Sequence, residues 1–136
     1  MAGKSNYLEG QLLNLILRTQ VAWKPIAVYI ALMTAAPSDA GGGTEVTGGS
    51  YARVAVGQLD ANWVAPAGTP RSTNNAGSVT FPAPTANWGS VTHFGIYDAA
   101  AAGNLLYWAA LTTPKTVNNL DPAPYFPAGS LVVTED

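Results

Sequence analysis

The segment Ile26-Ala-Val-Tyr-Ile-Ala-Leu-Met33 is apolar on both faces of an extended chain. That pattern predicts a strand buried on two sides, within a sandwich or against a helix. Downstream, Ser50 to Val56 alternates, with Ala52, Val54 and Val56 on one face and Tyr51, Arg53 and Ala55 on the other. Further strands are expected at Ser78 to Phe81, Val91 to Tyr97, Leu105 to Leu111 and Leu131 to Thr134. Breaker-rich stretches separate them: Pro37 to Gly49, Pro66 to Gly77, Pro82 to Gly89, Ala99 to Gly103 and Asn118 to Gly129. Short strands between turn-rich loops predict a mainly β fold, an antiparallel sandwich or barrel over about residues 26–134.

Upstream of the first strand the period changes. Leu8, Leu12, Leu15, Ile16 and Thr19 recur at spacings of three and four, and Leu13 and Leu17 widen the stripe. This is an amphipathic helix, predicted over about Asn6 to Thr19. Asn6 followed three residues later by Glu9 reads as its capping box, and Pro25 bars continuation. Leu12 to Leu17 is too short and too interrupted to span a membrane, which takes ~20 apolar residues.

Composition narrows the function classes. The chain has 136 residues, a length expected to form a single domain. Hydrophobic residues make up 48%, enough for a core, while charged residues make up only 10%. Without cysteine there is no disulfide scaffold, thiolate nucleophile or sulfur-ligated zinc site. The net charge is −2, and the six basic residues are scattered, so there is no footprint for nucleic acid or an anionic membrane.

The search for chemistry is mostly negative. His93 is the single histidine, expected on the strand face of Val91, Gly95 and Tyr97 as a packed or hydrogen-bonded residue. One histidine cannot supply a multi-histidine metal triad. No G-x-S-x-G elbow is present, and the eight carboxylates fall mostly in turns or at the terminus. Asp98 is expected to initiate the turn that runs through Ala99 to Gly103. No catalytic, cofactor-binding or metal-binding residues are assigned, and the chain is not expected to be an enzyme.

Two loops are long, Pro37 to Gly49 with its run Gly41-Gly42-Gly43, and Leu59 to Gly77 with Trp63, Pro66, Pro70 and Arg71. Either they are ordinary surface excursions or they are arms reaching a neighbouring subunit, in which case an exposed Trp63 beside prolines is a low-entropy anchor. Aromatics such as Tyr107-Trp108, Phe94 and Tyr97 are expected in the core. A carbohydrate-binding face would require Trp63 or Trp88 to be exposed.

The run Val28 to Asp39, then Gly48-Gly-Ser-Tyr-Ala-Arg-Val-Ala-Val56, resembles the opening of small tailed-bacteriophage virion proteins. The runs Trp88 to Asp98, Gly103 to Leu111 and Phe126 to Val133 extend the resemblance over nearly the whole chain, with Leu59 to Gly77 least typical. Members are often labelled tail-fibre proteins, and related β-sandwich proteins serve as capsid cement. The resemblance implies a structural virion protein without cofactors.

Scarce charge suits extensive interfaces, whose cores are depleted in charged residues, and repeated contacts on a lattice reinforce one another. The chain also lacks the repetitive shaft of a full-length fibre. The leading expectation is therefore a capsid decoration or cement protein on the virion surface, self-associating as a dimer or trimer and clamping adjacent major capsid protein subunits. Trp63, Pro66 and Arg71 are its expected contact residues. The alternatives are a tail-fibre or baseplate component that recognises a host surface, and a carbohydrate-binding module.

Overall fold

The computed structural model describes residues 3–135. In chain order these form β1 (Gly3–Lys4), α1 (Asn6–Leu17), β2 (Val28–Ala35), β3 (Thr44–Glu45) and β4 (Val54–Val56). There follow β5 (Arg71–Asn74), β6 (Val79–Thr80), β7 (Gly89–Tyr97), β8 (Leu105–Val117), β9 (Tyr125–Phe126) and β10 (Val132–Glu135). All strand pairings are antiparallel. The fold is mainly β with one N-terminal helix.

The main sheet runs β1-β8-β7-β2-β3, and β4 pairs with the first half of β2 on the edge whose second half carries β3. Two ribbons, β5–β10 and β6–β9, stand apart from it. Strand β2 is covered on both faces, as the apolar run predicts, but it begins at Val28: Ile26 lies before it and is fully exposed, since no strand or helix packs on it there. Ile30 and Leu32 join the large core, while Ala31 and Met33 join a smaller cluster with Tyr97 and Leu105. The large core unites Phe94, Ile96 and Leu106 of the sheet with Val79, Phe81, Leu131 and Val133 of the ribbon segments. The ribbons therefore form a second layer over one sheet face. Phe126 supplies edge-on contacts to both Phe81 and Phe94, with centroids 6.1 and 5.9 Å away.

Helix α1 is shorter than its periodicity predicts, and its cap lies one residue earlier. Ser5, not Asn6, accepts the Leu8 amide at 3.2 Å, and the Ser5 hydroxyl also donates to the Leu105 carbonyl of β8. One side chain thus caps the helix and ties it to the sheet. The helix ends at Leu17 because Arg18 turns extended while its amide still reaches Asn14 O. Burial declines along α1: Leu8 is buried, Leu12 and Leu15 are half-buried, and Ile16 is open.

Other departures have local causes. Strand β8 runs six residues beyond Leu111, and opposite Thr92 it bulges between Ala110 and Lys115. The same irregularity breaks the alternation expected of β7. Val91 lies in the large core with Phe94 and Ile96, whereas His93 packs near Trp108 on the other face. The segment Ser50 to Val56 is a strand only from Val54. Tyr51, outside the strand, turns inward against Trp88 and Phe81.

The expected arms fold back on the chain itself. Within Pro37 to Gly49, β3 pairs with β2, and Gly41, Gly42 and Gly43 all take positive φ. At Gly43 a Cβ would lie 2.8 Å from Ala35 O and Pro37 N, so the turn admits only glycine. Within Leu59 to Gly77, the polar segment Arg71–Asn74 is a strand through its pairing with β10.

Arg53 closes one end of the sheet. Its Nε and Nη2 donate to the two Glu45 oxygens at 2.9 and 2.8 Å, and Nη1 donates to Ala99 O and Ala102 O, each at 2.8 Å. The guanidinium lies 3.8 Å from the Tyr97 ring centroid. Burial alone would push the Glu45 carboxyl up, but hydrogen bonds from Arg53 and Tyr51, with the Arg53 charge, hold it below the ordinary carboxylate range. A lowered native pKa stabilises the fold above the unfolded value, and that contribution fades as pH falls through the native pKa. Arg53→Ala is expected to cost about 3–5 kcal/mol in urea unfolding at pH 7. Glu45→Gln should flatten the loss of stability between pH 7 and acid, and an unchanged acid dependence would remove this role.

Candidate functional site

A cleft of about 630 Å³ opens where the β5–β10 ribbon meets the main sheet. Val28, Ile96 and Leu106 of the sheet and Val133 of β10 line it, and all four belong to the buried core. The Leu59 to Arg71 segment supplies much of the wall, including two open apolar side chains, Leu59 at 70% exposure and Val64 at 46%. A concavity of this size with apolar lining and a few polar groups has the character of a binding site.

That wall is built by backbone and side-chain hydrogen bonds. Asn62 N and Trp63 N both reach Leu59 O, and the Asn62 carbonyl side chain accepts from Leu59 N, folding residues 59–63 into a turn. Val64 N then bonds Asn74 O at 2.9 Å, and Ala67 and Ser72 exchange amide bonds at 3.0 and 2.9 Å. The result is a hairpin whose second arm is β5, with a cis Thr69–Pro70 bond near its tip.

Asn75 anchors the hairpin to the opposite loop. Its side chain, 1% exposed, donates to Gly77 O and Pro127 O at 2.8 and 2.9 Å and accepts Leu131 N at 2.9 Å. Its backbone carbonyl accepts Gly129 N at 2.7 Å. At the far side of the cleft, Glu135 accepts from Tyr107 Oη and from Lys4 Nζ, the latter at 2.6 Å. Burial, then the bond to Glu135, pushes the Tyr107 hydroxyl pKa up.

The structure brings Trp63, Pro66 and Arg71 together on this cleft. Trp63 is half-buried against the core rather than freely exposed, and its Nε1 donates to Gly57 O at 2.9 Å. Pro66 and Arg71 are exposed, with Arg71 Nη1 reaching Pro66 O at 3.3 Å. Sequence reasoning missed Leu59, Val64 and Asn75, because nothing in a polar loop shows that it folds over an apolar floor.

The remaining candidates are structural. Trp88 is 5% exposed and donates to Gly49 O at 2.9 Å, so it cannot serve as a glycan platform. His93 Nδ1 lies 2.8 Å from Thr92 Oγ1 and its ring packs near Trp108. Asp98 accepts both the amide and the side chain of Asn104, holding the turn it was expected to initiate. Among the described residues no group of three or more His, Cys, Asp or Glu could hold a metal ion. No helix among them is long and apolar enough to cross a membrane.

Residues 3–134 match the family model described as Podophage GP4 fiber I protein gp80. The chain belongs to that family. It is accordingly a structural, non-enzymatic component of a phage virion fibre. The match supports the fibre reading over the capsid-cement one. No curated protein matches the chain.

Asn75 fixes the geometry of the cleft wall, so its loss has a defined cost. Asn75→Ala leaves two carbonyls and one amide without their partner and should destabilise by about 3 kcal/mol or more. Asn75→Asp keeps only an acceptor and should destabilise too. Urea unfolding midpoints test both, and a midpoint unchanged in the alanine variant would show that the latch carries no stability.

Proposed function

We propose that the chain is a connecting subunit of the fibre assembly, joined to neighbouring virion subunits through the cleft at Trp63, Pro66 and Arg71. The family match across residues 3–134 supports the fibre assembly as the setting. The fold supports it in two ways. Its one α-helix is 12 residues long and its longest strand 13, so the described chain is a small sheet-based unit rather than a repeating shaft. The cleft is apolar and open, as a docking surface requires, and it has no catalytic constellation around it.

Rim polarity also favours contact over chemistry. Glu135 is engaged by Lys4 and Tyr107, and Trp63 Nε1 by a backbone carbonyl, so these groups hold the wall in shape. A wall fixed before binding loses little conformational freedom when a partner docks.

Copy number per virion tests the reading, by quantitative mass spectrometry of purified particles against the major capsid protein. A fibre component should be present at a few to a few dozen copies. Hundreds of copies in simple ratio to the shell protein would contradict it and favour a cement protein clamping capsid subunits.

A further inference from the structure

Residues 3–23 form an N-terminal arm whose contacts with the body all reach residues beyond one short hinge. Strand β1 pairs with β8 at Gly3–Trp108 and Lys4–Tyr107, and Ser5 N and Asn6 N donate to Leu106 O and Asp39 O at 2.9 and 2.7 Å. The Ser5 hydroxyl donates to Leu105 O, and Lys4 Nζ donates to Glu135 at 2.6 Å. Leu8 is buried in the core, with Tyr7, Leu12 and Trp23 packed against its margin. The arm also holds itself together. Gln20 Nε2 donates to Gln11 Oε1 at 2.8 Å, and Trp23 packs edge-on against Tyr7 with centroids 6.0 Å apart.

Between this arm and β2 lie Lys24-Pro25-Ile26-Ala27, which belong to no helix or strand. Pro25 fixes its own φ and steers Lys24 toward extended backbone, so the hinge favours a straight path over a tight return. Its surface is also unusual. Among the described residues, ten large apolar side chains stand open to solvent, and five of them, Leu13, Ile16, Leu17, Val21 and Ile26, fall within residues 13–26. Single exposed apolar residues are ordinary, but half of them in one short stretch mark a surface that a partner covers.

We propose that two copies of the chain exchange these arms, each α1 docking on β8 of the other. Exchange remakes every arm–body contact unchanged across the interface, so the occupant of each docking site is the same segment from a second copy. The gain lies at the hinges. Both cross between the same two bodies about a twofold axis, so they run side by side, and each Ile26 is covered by the partner's hinge. The exchange also completes each cleft in trans, because the partner's Lys4 then holds Glu135 on the cleft lining. It stands independently of what the cleft binds.

Disulfide trapping tests the exchange, because the chain has no cysteine of its own. Lys4 and Tyr107 are opposed across the β1–β8 ladder, close enough for a disulfide. The full chain carrying Lys4→Cys and Tyr107→Cys is oxidised and run on a denaturing gel without reductant. Exchange should give a band at twice the chain mass that falls to the chain mass on reduction. Disulfides closed within single chains overturn the proposal, and so does an unsubstituted chain that sediments as a monomer at every concentration. Should the double variant fail to fold, as read by circular dichroism, lengthening the hinge decides instead. A short Gly-Ser insertion after Ile26 lets each arm fold back on its own body, so sedimentation velocity should shift from dimer to single chain. A dimer unmoved by that insertion overturns the proposal. A monomeric chain still found at fibre copy number would remove the exchange while leaving the fibre assignment standing.

Discussion

Arg53 uses four of the five N–H groups of its guanidinium within the protein, two on Glu45 and two on the backbone carbonyls of the Ala99–Ala102 turn. A charge whose side chain is only 6% exposed persists because nearly every donor has a partner and the Tyr97 ring lies against its face. The geometric consequence is wide. Glu45 belongs to β3, Arg53 adjoins β4, and Ala99–Ala102 joins β7 to β8, so one side chain ties the two edge strands on β2 to the β7–β8 turn. Tyr51 extends the same knot, donating to Glu45 at 2.8 Å and accepting the Leu32 amide at 3.0 Å. A lysine would keep the charge but could not form the two-pronged bond to Glu45 while reaching both turn carbonyls.

With the sheet fixed in this way, its ribbon-covered face opens at both ribbons. At the β6–β9 ribbon, Phe81, Phe94 and Phe126 line a second concavity of about 570 Å³. At the β5–β10 ribbon, Val28, Ile96 and Leu106 reach the cleft instead of meeting a closed second layer. The Asn75 latch and the Lys4–Glu135–Tyr107 cluster hold that opening in shape from two sides. The fold thus combines a rigid scaffold with an apolar concavity. That combination fits membership in a structural fibre family.

Legibility from sequence followed the strength of the local pattern. The two-faced burial of β2 is readable because the apolar run leaves an extended chain no polar face, but its start is not: Ile26 heads the run and is fully exposed, and the strand begins at Val28. The helix was readable from its three-and-four spacing, but its cap was not. Ser5 acts through Leu105, 100 residues away, and no local pattern reports that bond. Simple alternation puts Val91 on the face of His93, but a bulge in the partner strand resets it and turns Val91 into the large core. Strand β5, Arg-Ser-Thr-Asn, carries no apolar period at all and exists through its pairing with β10. The site was partly legible: Trp63, Pro66 and Arg71 do line one cleft, whereas Leu59 and Val64 acquire meaning only once the hairpin folds over the sheet. The lack of a repetitive shaft points to the capsid only weakly, and membership in a fibre family outweighs it.

Placement in the particle is the central claim, and immunogold electron microscopy of intact virions, with Fab fragments raised against this chain, tests it most directly. The account predicts gold confined to the fibres and their attachment points. Gold distributed evenly over the head would contradict it.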